Sequence, residues 1–568
     1  MATLHEHSPA LAAKKLFALL RLEKKDISSI YIYAILAGLV GFATPLGIQT
    51  IISFVLAGAI STSIIVLIVM VVFAVFIGGL LQVRQMQVIE KIQQKIYVRY
   101  SLEFANTIPK LDIENMSSYY LPELVNRFFD TATLQKGIEK LLLDIPAALI
   151  QILFGVILLS LYHPVFIGFG AILLVLLYVV LRNTLPTGFA ANVESSDYKY
   201  KTAAWLEEMA RVVKTFKYSK GTHLNIEKTD EYVTSYLESH TRYFKILITQ
   251  FWSLVGFKVI ITASMLIVGA ILLVDQQINI GQFIAADIVI IMVIGSVEKL
   301  ITNLDKIYDV FTSVEKLAKV TESAKEKSGT QKIAESDTGL SIEFKQLEYC
   351  YDKGNPVLKG INFSIKPGET VCMYGNSGSG KSTILRLLTG AYRNYEGALL
   401  IDEMPIASYD IESLRSVTGI LLSRQDIFQG SLRENLTMGN KLISDKELAE
   451  MVKLCGLTEF VQSLPNGYDF LLQTAGNRLS ARIKQSILLI RSLLGKRRML
   501  LLEEPFQYLH PIDRKKIMDL IYQEKSSTVI IASADIEVAK TCNWIIHLEN
   551  GVIVKQGEAL NIVESLNN

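Results

Sequence analysis

Two fold classes are predicted in one chain of 568 residues: an α-helical membrane domain of six transmembrane helices with long cytoplasmic extensions, then an α/β domain of the strand, loop, helix type. Three observations predict them. A mean hydropathy of +0.34, with 50% apolar and only 20% charged residues, is too oily for a purely soluble chain. No charged residue stands between Asp26 and Arg84. Finally, Gly375-Asn376-Ser377-Gly378-Ser379-Gly380-Lys381-Ser382 fits the pattern G-x-x-x-x-G-K-[ST] at every fixed position, with strand-like Glu369-Thr370-Val371-Cys372-Met373-Tyr374 before it and helix-like Thr383-Ile384-Leu385-Arg386-Leu387-Leu388 after it.

The uncharged stretch that follows Asp26 is long enough for two crossings of roughly 20 residues each, placed near 29–56 and 61–83. Pro45 and several glycines inside the first are tolerated in lipid where neighbouring helices satisfy the backbone. A second uncharged stretch, Ile145 to Leu181, breaks near Tyr162-His163-Pro164 and gives spans three and four. Span five is expected near 246–274 and span six near 280–300, separated by a turn at Asp275-Gln276-Gln277. Residues 84–144 and 182–245 are rich in Lys and Arg and helical in pattern, so the positive-inside rule places them, and both termini, in the cytoplasm as long helical arms. Lys258 and Asp287 fall inside spans, where an ionisable group is costly and a functional-site candidate unless it snorkels from a span end. From Val310 to about Gly339 the sequence turns polar and reads as a solvated connector between domains. The expected division is therefore 1–320 membrane domain, 321–340 linker and 341–568 nucleotide-binding domain.

A formal net charge of +2 offers no basic field for nucleic acid. The four cysteines (Cys350, Cys372, Cys455, Cys542) form no C-x-x-C pair and read as reduced, packed thiols in a cytosolic domain. Lys14, Lys15, Arg21, Lys24 and Lys25 precede a hydrophobic region far too long for a signal-peptide core, so no secretory signal is expected.

The Gly375–Ser382 stretch is a phosphate cradle. Glycines let backbone N–H groups close on phosphate oxygens, and the helix N-terminus adds partial positive charge. Lys381 is suited to the β- and γ-phosphates, Ser382 to Mg²⁺, and Thr383 to the same end of the nucleotide. The ligands expected are ATP and Mg²⁺, in an α/β P-loop NTPase domain.

Six spans with cytoplasmic arms followed by such a domain resemble a half-size ABC transporter of the exporter type. Glu123-Leu124-Val125-Asn126-Arg127 is similar to the family's first coupling region, Lys201 through Phe216 to its second arm, and Ile280-Gly281-Gln282-Phe283-Ile284 to the opening of its sixth span. The resemblance implies pairing with a second half-transporter, as homodimer or heterodimer, with each ATP held between the phosphate loop of one chain and the signature loop of the other. It places Tyr351 against adenine, an aromatic contact that a strand-edge tyrosine would otherwise explain. Gly430-Ser431-Leu432-Arg433-Glu434-Asn435-Leu436 resembles the segment after the Q-loop, which makes Gln425 the candidate for Mg²⁺ and for coupling to the arms, although counting without a gap reaches Ser423. Met499-Leu500-Leu501-Leu502 resembles the Walker B strand. It ends in Glu503, where the family has Asp, as a candidate for the Mg²⁺ shell, and then Glu504 in the position of the general base.

Three further motifs depart from the family. Where it has Leu-Ser-Gly-Gly-Gln, this chain has Leu479-Ser480-Ala481-Arg482-Ile483; Ser480 is kept, either for the partner's nucleotide or as a helix cap. The switch histidine is replaced by Ala534, which has no side chain able to hydrogen-bond phosphate or base. Gln507-Tyr508-Leu509-His510 stands for Ser-Ala-Leu-Asp, with His510 read as packed or interfacial. The resemblance thus implies a multi-pass protein of the bacterial inner membrane, with the nucleotide-binding domain in the cytoplasm, and ATP hydrolysis coupled to export at reduced activity. Thr44-Pro45-Leu46-Gly47-Ile48-Gln49 is similar to type I secretion components, which implies a peptide or protein cargo and a membrane-fusion partner; a lipid or small-molecule cargo stays open. The alternative is a catalytically impaired or non-hydrolysing subunit that regulates or scaffolds a heteromeric complex.

Overall fold

The computed structural model describes residues 9–58, 62–114, 121–219, 221–351, 354–423, 425–523 and 525–567. Its contacts divide into two units, Met1–Lys110 with Ser118–Ser323, and Leu111–Ser117 with Ala324–Asn568.

In the first unit, six helical segments among the described residues are long and apolar enough to cross a membrane: Lys24–Leu56, Thr62–Lys110, Leu121–Tyr162, Val165–Arg211, Leu224–Val274 and Ile280–Thr321. The first is interrupted at Phe42, between helices Lys24–Gly41 and Ala43–Leu56. Pro45 falls in the first turn of the second piece, where the N–H it lacks has no intrahelical partner anyway. The last span opens at a reciprocal cap. Asn279 Oδ1 accepts from Gln282 N at 2.8 Å and Gln282 Oε1 accepts from Asn279 N at 2.9 Å, so the Ile280-Gly281-Gln282 sequence starts a helix where it does.

At 1.5 Å rise per residue, the 51-residue helix Leu224–Val274 is about 75 Å long, well beyond a hydrocarbon core of about 30 Å. Beyond that thickness it continues as an arm packed along Val165–Arg211. Phe189, Val193, Tyr243 and Tyr308 form a buried cluster there, and Trp205 Nε1 donates to Thr229 Oγ1 at 3.1 Å. Val69, Phe73 and Phe76 on Thr62–Thr107 remain exposed, as side chains meant for lipid do. Of the two ionisable residues expected within spans, Lys258 is paired: its Nζ lies 2.8 Å from Glu298 Oε2. Asp287 stands half-buried on Ile280–Thr302.

Helix Leu304–Thr321 corrects the reading of a polar connector from Val310 onward. Val310, Val314 and Leu317 are buried, and Lys316, fully buried, bonds Asp197. Charged residues hid a helical stripe that only packing exposes. Nor are residues 324–333 free. Glu326 takes a two-pronged bond from Arg415 at 2.7 and 2.8 Å, and Gly329 N donates to Tyr409 O at 2.9 Å, both within the second unit.

Among its described residues the second unit contains twelve strands: β1 Ile342–Tyr349, β2 Leu358–Ile365, β3 Thr370–Tyr374, β4 Tyr395–Ile401, β5 Met404–Pro405, β6 Thr418–Leu421, β7 Gly430–Ser431, β8 Leu471–Leu472, β9 Met499–Glu503, β10 Thr528–Ser533, β11 Trp544–Glu549 and β12 Val552–Glu558. They form a six-stranded sheet in the order β12-β11-β3-β10-β9-β6, a four-stranded sheet β2-β1-β4-β5 and a small β7-β8 pair. The middle of the large sheet is parallel, and β3, β9 and β10 are buried almost throughout. Their uninterrupted apolar runs are what a sheet covered on both faces requires. The described residues 111–114, which follow Thr62–Lys110 in the chain, also belong to this unit: Glu114 accepts from Tyr349 OH at 3.1 Å and from Arg393 N at 2.9 Å. Residues 115–120, just ahead of the expected coupling region Glu123–Arg127, lie outside the described residues.

Candidate functional site

The register of the large sheet decides which residues meet. Ser533 of β10 pairs with Tyr374 of β3, and Ala532 pairs with Glu503 of β9. The carboxyl ends of three adjacent parallel strands therefore deliver the phosphate loop, the two glutamates and Ser533-Ala534 to one edge, where ligands of open α/β sheets bind. A cleft of about 560 Å³ opens there, lined by Tyr351, Ser377, Gly378, Ser379, Gly380, Lys381, Ser382, Thr383, Arg386, Glu503, Glu504 and Ala534, among others.

The loop needs its glycines for space as well as for φ. Gly375 has φ +151°, and a Cβ there would come within 2.2 Å of Leu548 O; Gly380 has φ +105° and caps the helix Lys381–Leu388. Asn376 O accepts from Ser379 N at 3.2 Å, which closes the turn. Lys381 Nζ donates to Gly375 O at 2.6 Å and Asn376 O at 2.8 Å, across the mouth of the loop. Burial pulls its pKa below the usual lysine value, opposed by the negative charge of Glu504 and then by Cys372 and Glu503.

Both oxygens of Glu503 are engaged. One accepts from Ser382 Oγ and the other from Ser423 N at 2.6 Å. A hydroxyl and a carboxylate side by side are hard oxygen donors of the kind Mg²⁺ takes. Ser423, reached by counting without a gap, thus touches this group through its backbone. Gln425 does not line the cleft; its Oε1 accepts weakly from Leu422 N at 3.4 Å.

Glu504 has φ +42°, a conformation unusual for a residue with a side chain, held by Glu504 N donating to Ala532 O at 2.9 Å and by Gln485 Nε2 donating to Glu504 O at 3.1 Å. Its carboxylate accepts from Ser533 Oγ at 2.8 Å and from Ala534 N at 2.9 Å. Sequence reasoning assigned Ser533 no role; the available signal was a polar residue closing the apolar run Val529–Ala532.

At the other end of the cleft Tyr351 is 42% exposed, so its ring is available for stacking, while its hydroxyl lies 3.2 Å from Thr383 Oγ1 and accepts from Arg386 Nη1 at 2.9 Å. Arg386 is a further cation that the motif did not single out. Ser480 is not in this cleft: its hydroxyl caps helix Ala481–Leu493 by accepting from Ile483 N at 3.3 Å. Arg482 reaches back toward Gly456 O at 3.5 Å. His510 is exposed, with Nδ1 facing Ile512 N at 3.4 Å. No group of His, Cys, Asp and Glu among the described residues forms a separate metal cluster.

Comparison with known proteins places both units. Residues 28–297 match the family model described as ABC transporter transmembrane region, and residues 358–507 match the one described as ABC transporter. The alpha-hemolysin translocation ATP-binding protein HlyB of Escherichia coli O157:H7 is 30% identical over 383 residues, which cover 66% of this chain and 53% of that protein. The ATP-dependent lipid A-core flippase of Saccharophagus degradans is 30% identical over 242 residues, 42% of this chain and 41% of the flippase. The leptomycin B resistance protein pmd1 of Schizosaccharomyces pombe is 31% identical over 237 residues, 41% of this chain and 17% of that protein. The chain thus spans about half the length, or less, of these curated relatives. Among solved structures, that of a bacterial Atm1-family ABC exporter with ATP bound has a TM-score of 0.85, covering 96% of this chain and 97% of that one at 19% identity, a likeness of fold.

Proposed function

The chain belongs to the ABC transporter family, with membrane region and nucleotide-binding domain fused in one half-transporter, and on that premise we propose that it binds and hydrolyses ATP to export a substrate across a bacterial inner membrane. One observation carries the reading: Lys381, Ser382, Glu503 and Glu504 converge in a single cleft, in a chain whose other unit supplies six span-length helices.

In this reading the loop N–H groups, Lys381 and Thr383 hold the phosphate end, and Tyr351 stacks at the adenine end. Ser382 and Glu503 would hold Mg²⁺, which when bound would neutralise phosphate charge. Lys381 exchanges the Gly375 and Asn376 carbonyls for phosphate oxygens, and Glu504 accepts a proton from the attacking water. Two chains pair, and Ser480 of each contributes to the other's nucleotide. Gln425 must turn from Leu422 N to serve the metal end, whereas Ser423 N already bonds Glu503. The longer match to the hemolysin translocator, over both halves of the chain, supports a peptide or protein cargo and a membrane-fusion partner; the flippase match keeps a lipid in view.

Ala534, Arg482 and Ile483 favour a second reading, a non-hydrolysing subunit of a heteromeric complex. Steady-state ATPase of the chain in lipid, with its assembly measured by mass photometry, separates the two. We expect a homodimer with low activity that Glu504→Gln abolishes. ATP binding with no turnover above that of Glu504→Gln would sink the first reading and leave the second.

A further inference from the structure

We infer that Ser533 is the positioning residue for Glu504, supplying from the end of β10 the side-chain hydrogen bond that Ala534 has no side chain to make. The inference rests on Glu504 being the base.

The geometry fixes the direction of the hydroxyl proton. Ser533 Oγ accepts from Asp535 N at 3.1 Å and lies 2.8 Å from Glu504 Oε2. A hydroxyl carries a single proton; with the Asp535 N–H on a lone pair, that proton points to the carboxylate. The Asp535 backbone is in turn held in place, because its side chain caps helix Ile536–Thr541 through Glu537 N at 2.9 Å and pairs with Arg514 Nη2 at 2.6 Å. Ala534 N takes the other oxygen of Glu504, so consecutive residues grip both oxygens. A backbone N–H survives any side chain but proline, so position 534 keeps this donor as alanine.

The grip comes from behind. Ser533 is 2% exposed and does not line the cleft, whereas Glu504 and Ala534 do. An ionised carboxylate has about four lone-pair sites. Two bonds from the sheet side leave acceptor capacity toward the cleft, where water would be oriented. With the Glu504 backbone already fixed at φ +42° by Ala532 O and Gln485, removing the Ser533 hydroxyl frees the head of the Glu504 side chain and takes the acceptor from Asp535 N, while the Glu504 backbone stays in place.

The test uses the full chain in lipid and reads kcat, KM for ATP and TNP-ATP affinity. A hydrogen bond to a charged group corresponds to about a tenfold to hundredfold effect, so Ser533→Ala should lower kcat by that factor while KM and TNP-ATP affinity stay within twofold. Ser533→Thr, which keeps the hydroxyl, should recover most of the loss. Adding Ser533→Ala to Glu504→Gln should cost nothing more, because residues that act as a unit are not additive. Three results would overturn the inference: a Ser533→Ala kcat within twofold of wild type, a matching loss of TNP-ATP affinity, or a Ser533→Thr variant as slow as Ser533→Ala. A wild type no faster than Glu504→Gln would instead overturn the assignment of the base, and the inference with it.

Discussion

Glu503 stands where a shorter carboxylate is usual, and its two contacts let the effect of changing it be worked out. Its oxygens accept from Ser382 Oγ and, at 2.6 Å, from Ser423 N. Glu503→Gln keeps the shape but removes the charge. It retains one acceptor oxygen and turns the other into a donor that faces either the Ser382 hydroxyl or the Ser423 N–H. Loss of a group that orients or charges a metal site costs about 10- to 100-fold in metal affinity, or about 1.4 to 2.7 kcal/mol. The phosphate loop and Lys381 are untouched. In a Mg²⁺ titration of ATPase activity at saturating ATP, the half-maximal Mg²⁺ concentration should therefore rise about 10- to 100-fold, while TNP-ATP binding in EDTA remains as in wild type. Glu503→Asp keeps the charge but withdraws it by one methylene, too far to hold both Ser382 and Ser423, and should give an intermediate shift. An unchanged Mg²⁺ requirement in Glu503→Gln would refute the reasoning and leave Glu503 as a tie between two loops.

Two further outcomes follow from the geometry. Gly375→Ala places a Cβ within 2.2 Å of Leu548 O and should abolish TNP-ATP binding and lower thermal stability, whereas Gly378→Ala, at φ +82° with nothing within 4 Å of its Cβ, should cost only backbone strain of about 1–2 kcal/mol. Equal losses in the two would contradict this account of the loop. Burial pushes the Cys455 thiol up to about 12 and, together with a hydrogen bond to Cys542 as the leading cause, holds Cys372 well above the ordinary thiol value. A raised thiol pKa favours the folded, protonated form. That stability is complete below the unfolded pKa of about 8.5 and is lost as pH climbs toward the folded value. Iodoacetamide at pH 8 should accordingly alkylate half-buried Cys350 first and the buried Cys372, Cys455 and Cys542 only after denaturation, which peptide mass spectrometry resolves; early alkylation of Cys455 would count against its placement in the core.

What the sequence by itself determined was whatever is written contiguously. Uncharged stretches long enough to cross a bilayer mark the first four spans, because lipid excludes charge residue by residue. The Gly375–Ser382 pattern marks the phosphate loop, because a backbone cradle is built from neighbours. Four apolar residues before Glu503 and Glu504 mark a buried strand that ends in carboxylates. Tertiary structure alone decided the contacts between residues far apart in the chain: Glu504 with Ser533, 29 residues on, and Glu503 with Ser423, 80 residues back. The same holds for the Lys258–Glu298 pair, for the helical stripe that buries Lys316, and for residues 111–114 joining the second unit. The register of β3, β9 and β10 sets which of those residues face one another, and register is a property of paired strands that no single strand carries.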